Sequence, residues 1–277
     1  DGTTEYATLA QAVNEAPDGS TITLTANVTV PADGIATVPA GKTLTLDMAG
    51  HAITVTEDFV GRPIVNNGTL TVKGEGTIDA SASVSGGYGA INNFGTLTIE
   101  SGNFKGSVMS NAACIYVRSG ATATINGGNF SGSTVAVKSE GDLTIHGGTF
   151  STTSCNQTIN EAGEKCYAYC IISSGTLHIT DADVTGVQGA LAINNGYAVV
   201  DGGDYRTVGC QHDTPGNVGL YSFYALYIAG EEGKVEAHIN GGTYNAIYRS
   251  AVLAGNDNTG GDGGINADAT SEIKGGT

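Results

Sequence analysis

Recognition or catalysis by this chain would need carboxylates, bases, aromatic rings or cation ligands brought to one place, and only a few stretches supply them. Asn256-Asp257-Asn258-Thr259-Gly260-Gly261-Asp262-Gly263 is the one run with the oxygen density that Ca²⁺ takes, with Asp257 and Asp262 as its charged ligands. It has neither the EF-hand register nor a closing Glu, so it reads first as an acidic loop and only second as a Ca²⁺ site; no other cofactor is indicated. A second set is aromatic and polar. Tyr88, Tyr167, Tyr169, Arg206, His212, Tyr221 and Tyr224, with Phe223, Glu161, Glu164, Lys165 and Asp213 among them, would suit stacking against sugar rings or docking a protein. The same aromatics would serve equally to pack loops onto a wall.

The five cysteines cannot all pair within the chain. Cys155, Cys166 and Cys210 lie in polar, non-repetitive stretches, whereas Cys114 and Cys170 open apolar strands. Cys155–Cys166 is the expected loop disulfide, against the alternative of five unpaired thiols with the apolar two buried. No CxxC or Cys/His spacing supports zinc.

These residues hang on a repeat. The phrase Gly-Thr-Leu-Thr-Ile-x-Gly-Gly-x-Phe recurs clearly at 95–104, 120–130 and 141–150, and more weakly at 68–78, 175–184, 196–205 and 233–244. Its Ile position falls at Leu46, Val72, Ile99, Ile125, Ile145, Ile179, Val200, Ile239 and Ile273, with Ile125 and Ile145 only 20 residues apart. Self-similarity at that period means stacked supersecondary units. Each unit has an Ala-Ile-x-Val type strand, a turn carrying Asn or Gly, the Thr-Leu-Thr-Ile strand, and a large apolar residue after Gly-Gly. Alternation sends Leu97 and Ile99 inward and Thr96 and Thr98 outward.

The N-terminal segment differs. Thr8-Leu9-Ala10-Gln11 fits a capping box, and Leu9, Ala12, Val13 and Ala16 share one helical face, ended at Pro17-Asp18-Gly19. A short amphipathic helix there would close the end of a stacked core. The expected organisation is one domain over 1–277, with 1–60 as cap and first coils and 61–277 as repeats cut short in the last coil. Leucine-rich repeats and propellers lack their signatures here.

The pattern resembles the right-handed parallel β-helix of the pectate-lyase-like superfamily, with three strands per coil and an N-terminal capping helix. The likeness spans essentially the whole chain but is architectural, since the phrase is common to bacterial surface proteins. It implies a choice between a carbohydrate-active enzyme and an adhesin-like module. The outward residue after each Ile, the natural catalytic column, reads Lys73, Glu100, Asn126, His146, Thr180, Asp201, Asn240 and Lys274. It never sets two carboxylates on adjacent rungs. The polygalacturonase signatures Asn-Thr-Asp, Asp-Asp, Gly-His-Gly and Arg-Ile-Lys are absent, as is the lyase Arg-x-Pro-x-Arg pattern.

Two further columns are read from the repeat. Paired threonines, Thr43/Thr45 to Thr122/Thr124, would form ladders like those of ice-binding β-helices, but the pattern breaks at Asp142 and His178 and charged Lys73 and Glu100 flank it. Asn66-Asn67, Asn92-Asn93 and Asn194-Asn195 would stack their amides at one turn.

Composition narrows the partners. With 27 acidic and 11 basic residues the formal charge is −16, which disfavours nucleic acid and anionic membranes. No apolar run approaches the roughly 20 residues of a membrane span. Low lysine with abundant Thr, Ser, Asn and Gly suits an extracellular surface, and the chain reads as a segment of a longer exported protein. Most extra length falls at one corner, in 79–89, 105–113, 151–169 and 206–224, so the loops should gather along one edge. The expected function is a non-catalytic, adhesin-like module binding a glycan or a host or neighbour protein there. The alternative is a polysaccharide lyase or hydrolase with an atypical site.

Overall fold

The computed structural model describes residues 4–83, 89–108, 112–155, 168–210, 224–228, 235–247, 250–254 and 269–273. The chain winds as a parallel β-helix with three strands per coil. Ten strands, from Ser20–Thr23 to Ala269–Ile273, make the first sheet, which carries the Thr-Leu-Thr-Ile segments. Nine strands from Val28–Val30 to Thr243–Asn245 make the second, and nine from Ala36–Val38 to Val252–Ala254 the third. Each strand pairs in parallel with its equivalents one coil before and after, so Leu97 faces Leu70 and Ala123, and Ile99 faces Val72 and Ile125. Leu97 and Ile99 are buried, while Thr96 is exposed and Thr98 half-buried.

One continuous core runs from Leu9 to Tyr244. The helix α1, Leu9–Glu15, sets Leu9, Ala12 and Val13 on that core, as the apolar spacing predicts. Its cap departs from the expected box. The Thr8 hydroxyl accepts from the Gln11 amide at 3.1 Å, but the Gln11 side chain accepts from Ala7, not Thr8, at 3.2 Å. At the other end the Lys42 ammonium donates to the Val13 and Asn14 carbonyls at 2.7 and 2.8 Å, where unpaired carbonyls and the helix dipole favour a cation.

The large residue after Gly-Gly is more than the isolated apolar plug that the sequence suggests. It centres a strand of three or four residues, Asn103–Lys105 and Asn129–Gly132 among them, because its flanks pair in register with the coils on either side. Phe104, Phe130 and Phe150 therefore stack, with ring centroids 4.9 and 4.8 Å apart and planes within 8°. That spacing is the rung repeat itself. Val184 interrupts the column, and Tyr205 and Tyr244 resume it at 5.0 Å. Each tyrosine hydroxyl donates to the first glycine of its own Gly-Gly, Gly202 at 3.0 Å and Gly241 at 2.9 Å. The second glycine turns the corner at positive φ, 111° at Gly128 and 123° at Gly148, which L side chains rarely adopt.

In the third sheet the strands begin later than the apolar pattern suggests where Val135 and Ala136 form the corner, so that strand is Val137–Ser139. The expected asparagine ladder is short. Buried Asn66 donates to Asn93 at 2.7 Å, but Val117, Ser139 and Ser173 occupy the following rungs. Asn194 is buried, and among the described residues its Oδ1 has no partner.

Candidate functional site

The corner between the second and third sheets carries most of the inserted length, and a disulfide lies at it. The sequence points to Cys155–Cys166; the structure instead joins Cys155 to Cys210, with Cα atoms 5.7 Å apart. Proximity in the chain is the wrong guide here. Cys155 follows Thr149–Thr152 and Cys210 follows Asp204–Thr207, strands that flank Asp183–Gly186 in the second sheet. Between them the corner is cut short, Gly186 to Gly189, so Cys155 and Cys210 meet across it. Cys166 lies outside the described residues. Cys114 and Cys170 are unpaired and buried, as expected for the apolar pair.

Tyr169 and Tyr224 do not stand open. They are 6% and 8% exposed and join Tyr227, Ile172 and Ala192 in a second apolar cluster on the outer side of the third sheet. Tyr227 stacks on Tyr169 at 5.6 Å and on Tyr224 at 6.1 Å, and the Tyr169 ring covers Gly189, where a Cβ would collide with it. These rings pack the wall. Tyr88, Tyr167, His212, Tyr221, Asp257 and Asp262 lie outside the described residues, so the Ca²⁺ run is not placed. Among the described residues no three His, Cys, Asp or Glu side chains converge as a metal needs, and no helix is long and apolar enough to cross a membrane.

Arg206 projects outward from the second sheet. Its guanidinium lies 2.8 Å from Asp183 and 3.2 Å from Asp204, carboxylates that are in register on adjacent rungs. A depression of about 470 Å³ beside them is lined by Asp181, Asp183, Asp204 and the Gly148 and Gly203 corners. The column one residue after each Ile does not contain this pair, which lies on the second sheet and not the first.

On the first sheet the threonine column is longer than the sequence phrase reveals, running in register through Thr21, Thr45, Thr71, Thr98, Thr124 and Thr144. It then gives way to His178, Val199 and His238. His178 Nε2 is 2.8 Å from Asp201, whose other oxygen accepts from Asn240 at 2.8 Å. The Asn240 amide, and after it His178, hold the Asp201 carboxyl below its ordinary range. His238 pairs with Glu236 at 2.8 Å and its ring lies 5.6 Å from Tyr197.

The third sheet's outer face carries the cluster that no motif announces. Around the Tyr116 ring stand Arg118 at 3.8 Å, Lys138 at 4.9 Å and Arg62 at 5.5 Å, with Arg118 also 5.4 Å from Phe94. Burial alone would raise the Glu140 carboxyl, but the Tyr116 hydroxyl and the Lys138 ammonium bond to it and hold it below the usual carboxylate range. The parallel stacking of Asn92, Tyr116 and Lys138 on successive rungs brings these side chains together. The register alone could have exposed the cluster, since the residues are spread from 62 to 140 in the chain.

Compared with known proteins, the chain matches no family model, no curated protein and no solved structure. The fold and the geometry above therefore define its class, a parallel β-helix repeat protein with most of its extra chain length between the second and third sheets.

Proposed function

We propose that the chain is a non-catalytic recognition module, adhesin-like, that binds a glycan or a neighbouring protein along the edge where its insertions gather and on the sheet face that this edge borders. The observation that carries this reading is the Cys155–Cys210 bond, which ties the first residues of two insertions to each other on a rigid wall. The disulfide also supports an oxidising, extracellular setting, and the architecture supports a likeness to the pectate-lyase-like β-helices of bacterial surface proteins.

A second reading is favoured by one observation, the pairing of Asp183 and Asp204 across adjacent rungs beside a depression. Two carboxyl groups flanking a groove are what a glycoside hydrolase requires. Arg206 weighs against it, because its guanidinium already pairs with one oxygen of each carboxylate.

The experiment is a glycan and cell-surface protein array probed with the purified chain, alongside product analysis on polysaccharides. The recognition reading expects saturable binding that weakens in the Cys155→Ser/Cys210→Ser double variant with no product formed. Cleavage products that vanish in Asp183→Asn or Asp204→Asn would decide for the enzyme.

A further inference from the structure

The chain carries 11 Lys and Arg against 27 acidic residues, yet three of those cations surround one ring, Tyr116. Arg62 is buried and donates from Nη1 to the Ala113 carbonyl at 2.7 Å and the Ile91 carbonyl at 3.2 Å, so it belongs to the wall. Arg118 is different. Its guanidinium is stacked on Tyr116 and its Nε donates to Asn92 Oδ1 at 2.9 Å, which fixes its plane. Among the described residues nothing takes its Nη1 and Nη2. A guanidinium held in place with both terminal nitrogens open is a preorganised fork for two parallel hydrogen bonds to a carboxylate. Glu140, the one acid in the cluster, makes no ion pair with Arg118 and bonds through Oε1 to Tyr116 and Lys138. Beside the fork Phe94 is 48% exposed.

We propose that Arg118 and Phe94, flanked by Lys138, form a subsite for a sugar bearing a single isolated carboxylate. The carboxylate would take the Arg118 fork while the C–H face of the pyranose ring lies on Phe94. The assignment rests on the reading of the chain as a recognition module, but on residues of the sheet wall and not of the loops. A polyanionic chain does not fit, because a formal charge of −16 repels it along its length. One anion feels mainly the local excess of cations, since screening limits the rest to about 8 Å at physiological salt. An extended peptide does not fit either. The strand Ile115–Val117 is paired on both sides, with Ile91–Asn93 and Val137–Ser139, so this face offers no free edge for a peptide backbone.

The test is ligand-observed NMR titration of the intact chain with methyl glucuronoside and with methyl glucoside, which differ only in the carboxylate. We expect the acid to bind about ten-fold tighter or more, as one charge-assisted bidentate contact provides. Arg118→Gln should remove that preference, Phe94→Ala should weaken both sugars, and Arg118→Lys should fail to restore it because the ammonium lacks the fork. Circular dichroism and melting of each variant keep loss of fold separate from loss of the site. Equal binding of the two sugars, no binding of either, or an acid preference that survives Arg118→Gln would overturn the subsite. So would preferential, Arg118-dependent binding of an acetylated Gly-Asp-Gly amide, which would point to a protein partner. Array binding that depends on the Cys155–Cys210 loops but not on Arg118 would sink the subsite and leave the recognition module standing.

Discussion

Tyr205 and Tyr244 occupy the positions that Phe104, Phe130 and Phe150 hold in earlier coils, and the added hydroxyl decides how each fits. A buried phenol needs an acceptor, and the Gly-Gly corner supplies one within three residues of chain. Burial, with Tyr244 next, pushes the Tyr205 phenol well above its ordinary range. The two residue types should respond differently to truncation. Phe130→Ala removes a ring stacked on both sides and should lower unfolding free energy by about 3–5 kcal/mol. Tyr205→Phe keeps the ring and forfeits one hydrogen bond, a loss of about 1 kcal/mol. Urea denaturation of the two variants measures both, and a Tyr205→Phe loss as large as that of Phe130→Ala would contradict the account. The large residue after Gly-Gly is legible in the sequence, because it recurs at the same place in the repeat phrase. Its stacking is not, since it follows from equal rung spacing.

Among the elements, the threonine strands and the inserted corner behave oppositely. The first sheet follows alternation from Ser20–Thr23 to Val235–Ile239, apart from the exposed start of Gly196–Val200, so its buried and exposed residues are legible one strand at a time. The corner loops carry no period, and there the sequence misleads. Cys155 and Cys166 are near in the chain, but the short Gly186–Gly189 corner lets Cys155 reach a loop two coils away. The bond closes 55 residues of chain and crosses three coils, so its removal should cost about 2–4 kcal/mol. Cys155→Ser/Cys210→Ser should accordingly melt lower than the parent, whereas the parent under reducing conditions should melt with the double variant. If parent and variant melted together under oxidising conditions, the bond would hold no coils together. The tyrosines belong to the same lesson. Tyr169 and Tyr224 read as open binding residues in the sequence, but the third sheet presents Ile172, Ala192 and Tyr227 on its outer face, and apolar rings cover apolar surface.

For the whole molecule, every coil leans on its neighbours and one core joins them, so groups buried in different coils act on the same unfolding equilibrium. Burial pushes the Cys114 thiol up to about 12 and raises Cys170 and Tyr244 as well. A group whose pKa is raised on folding contributes stability that is complete below its unfolded value and lost as pH rises through the folded one. For the thiols the unfolded value is about 8.5, so stability should fall from about pH 9 upward, by as much as about 1.4 kcal/mol per pH unit for each thiol. Denaturation midpoints taken across that range check the sign, and Cys114→Ala/Cys170→Ala should flatten the slope. An unchanged slope in that variant would place the alkaline loss elsewhere, with the tyrosines as the remaining buried acids.

Taken by itself, the sequence determined the coil: which residues turn inward, where the chain bends, how a helix closes one end, and which corner accepts insertions. Those properties are periodic, and each follows from a residue's neighbours within one repeat. Register, which only the tertiary structure fixes, decided the rest. It set Asp183 beside Asp204, His178 beside Asp201, Cys155 beside Cys210, and three scarce cations around Tyr116. Parallel stacking converts separations of about two dozen residues or more into contacts of a few ångströms, and no local pattern in the chain records which side chains will meet across it.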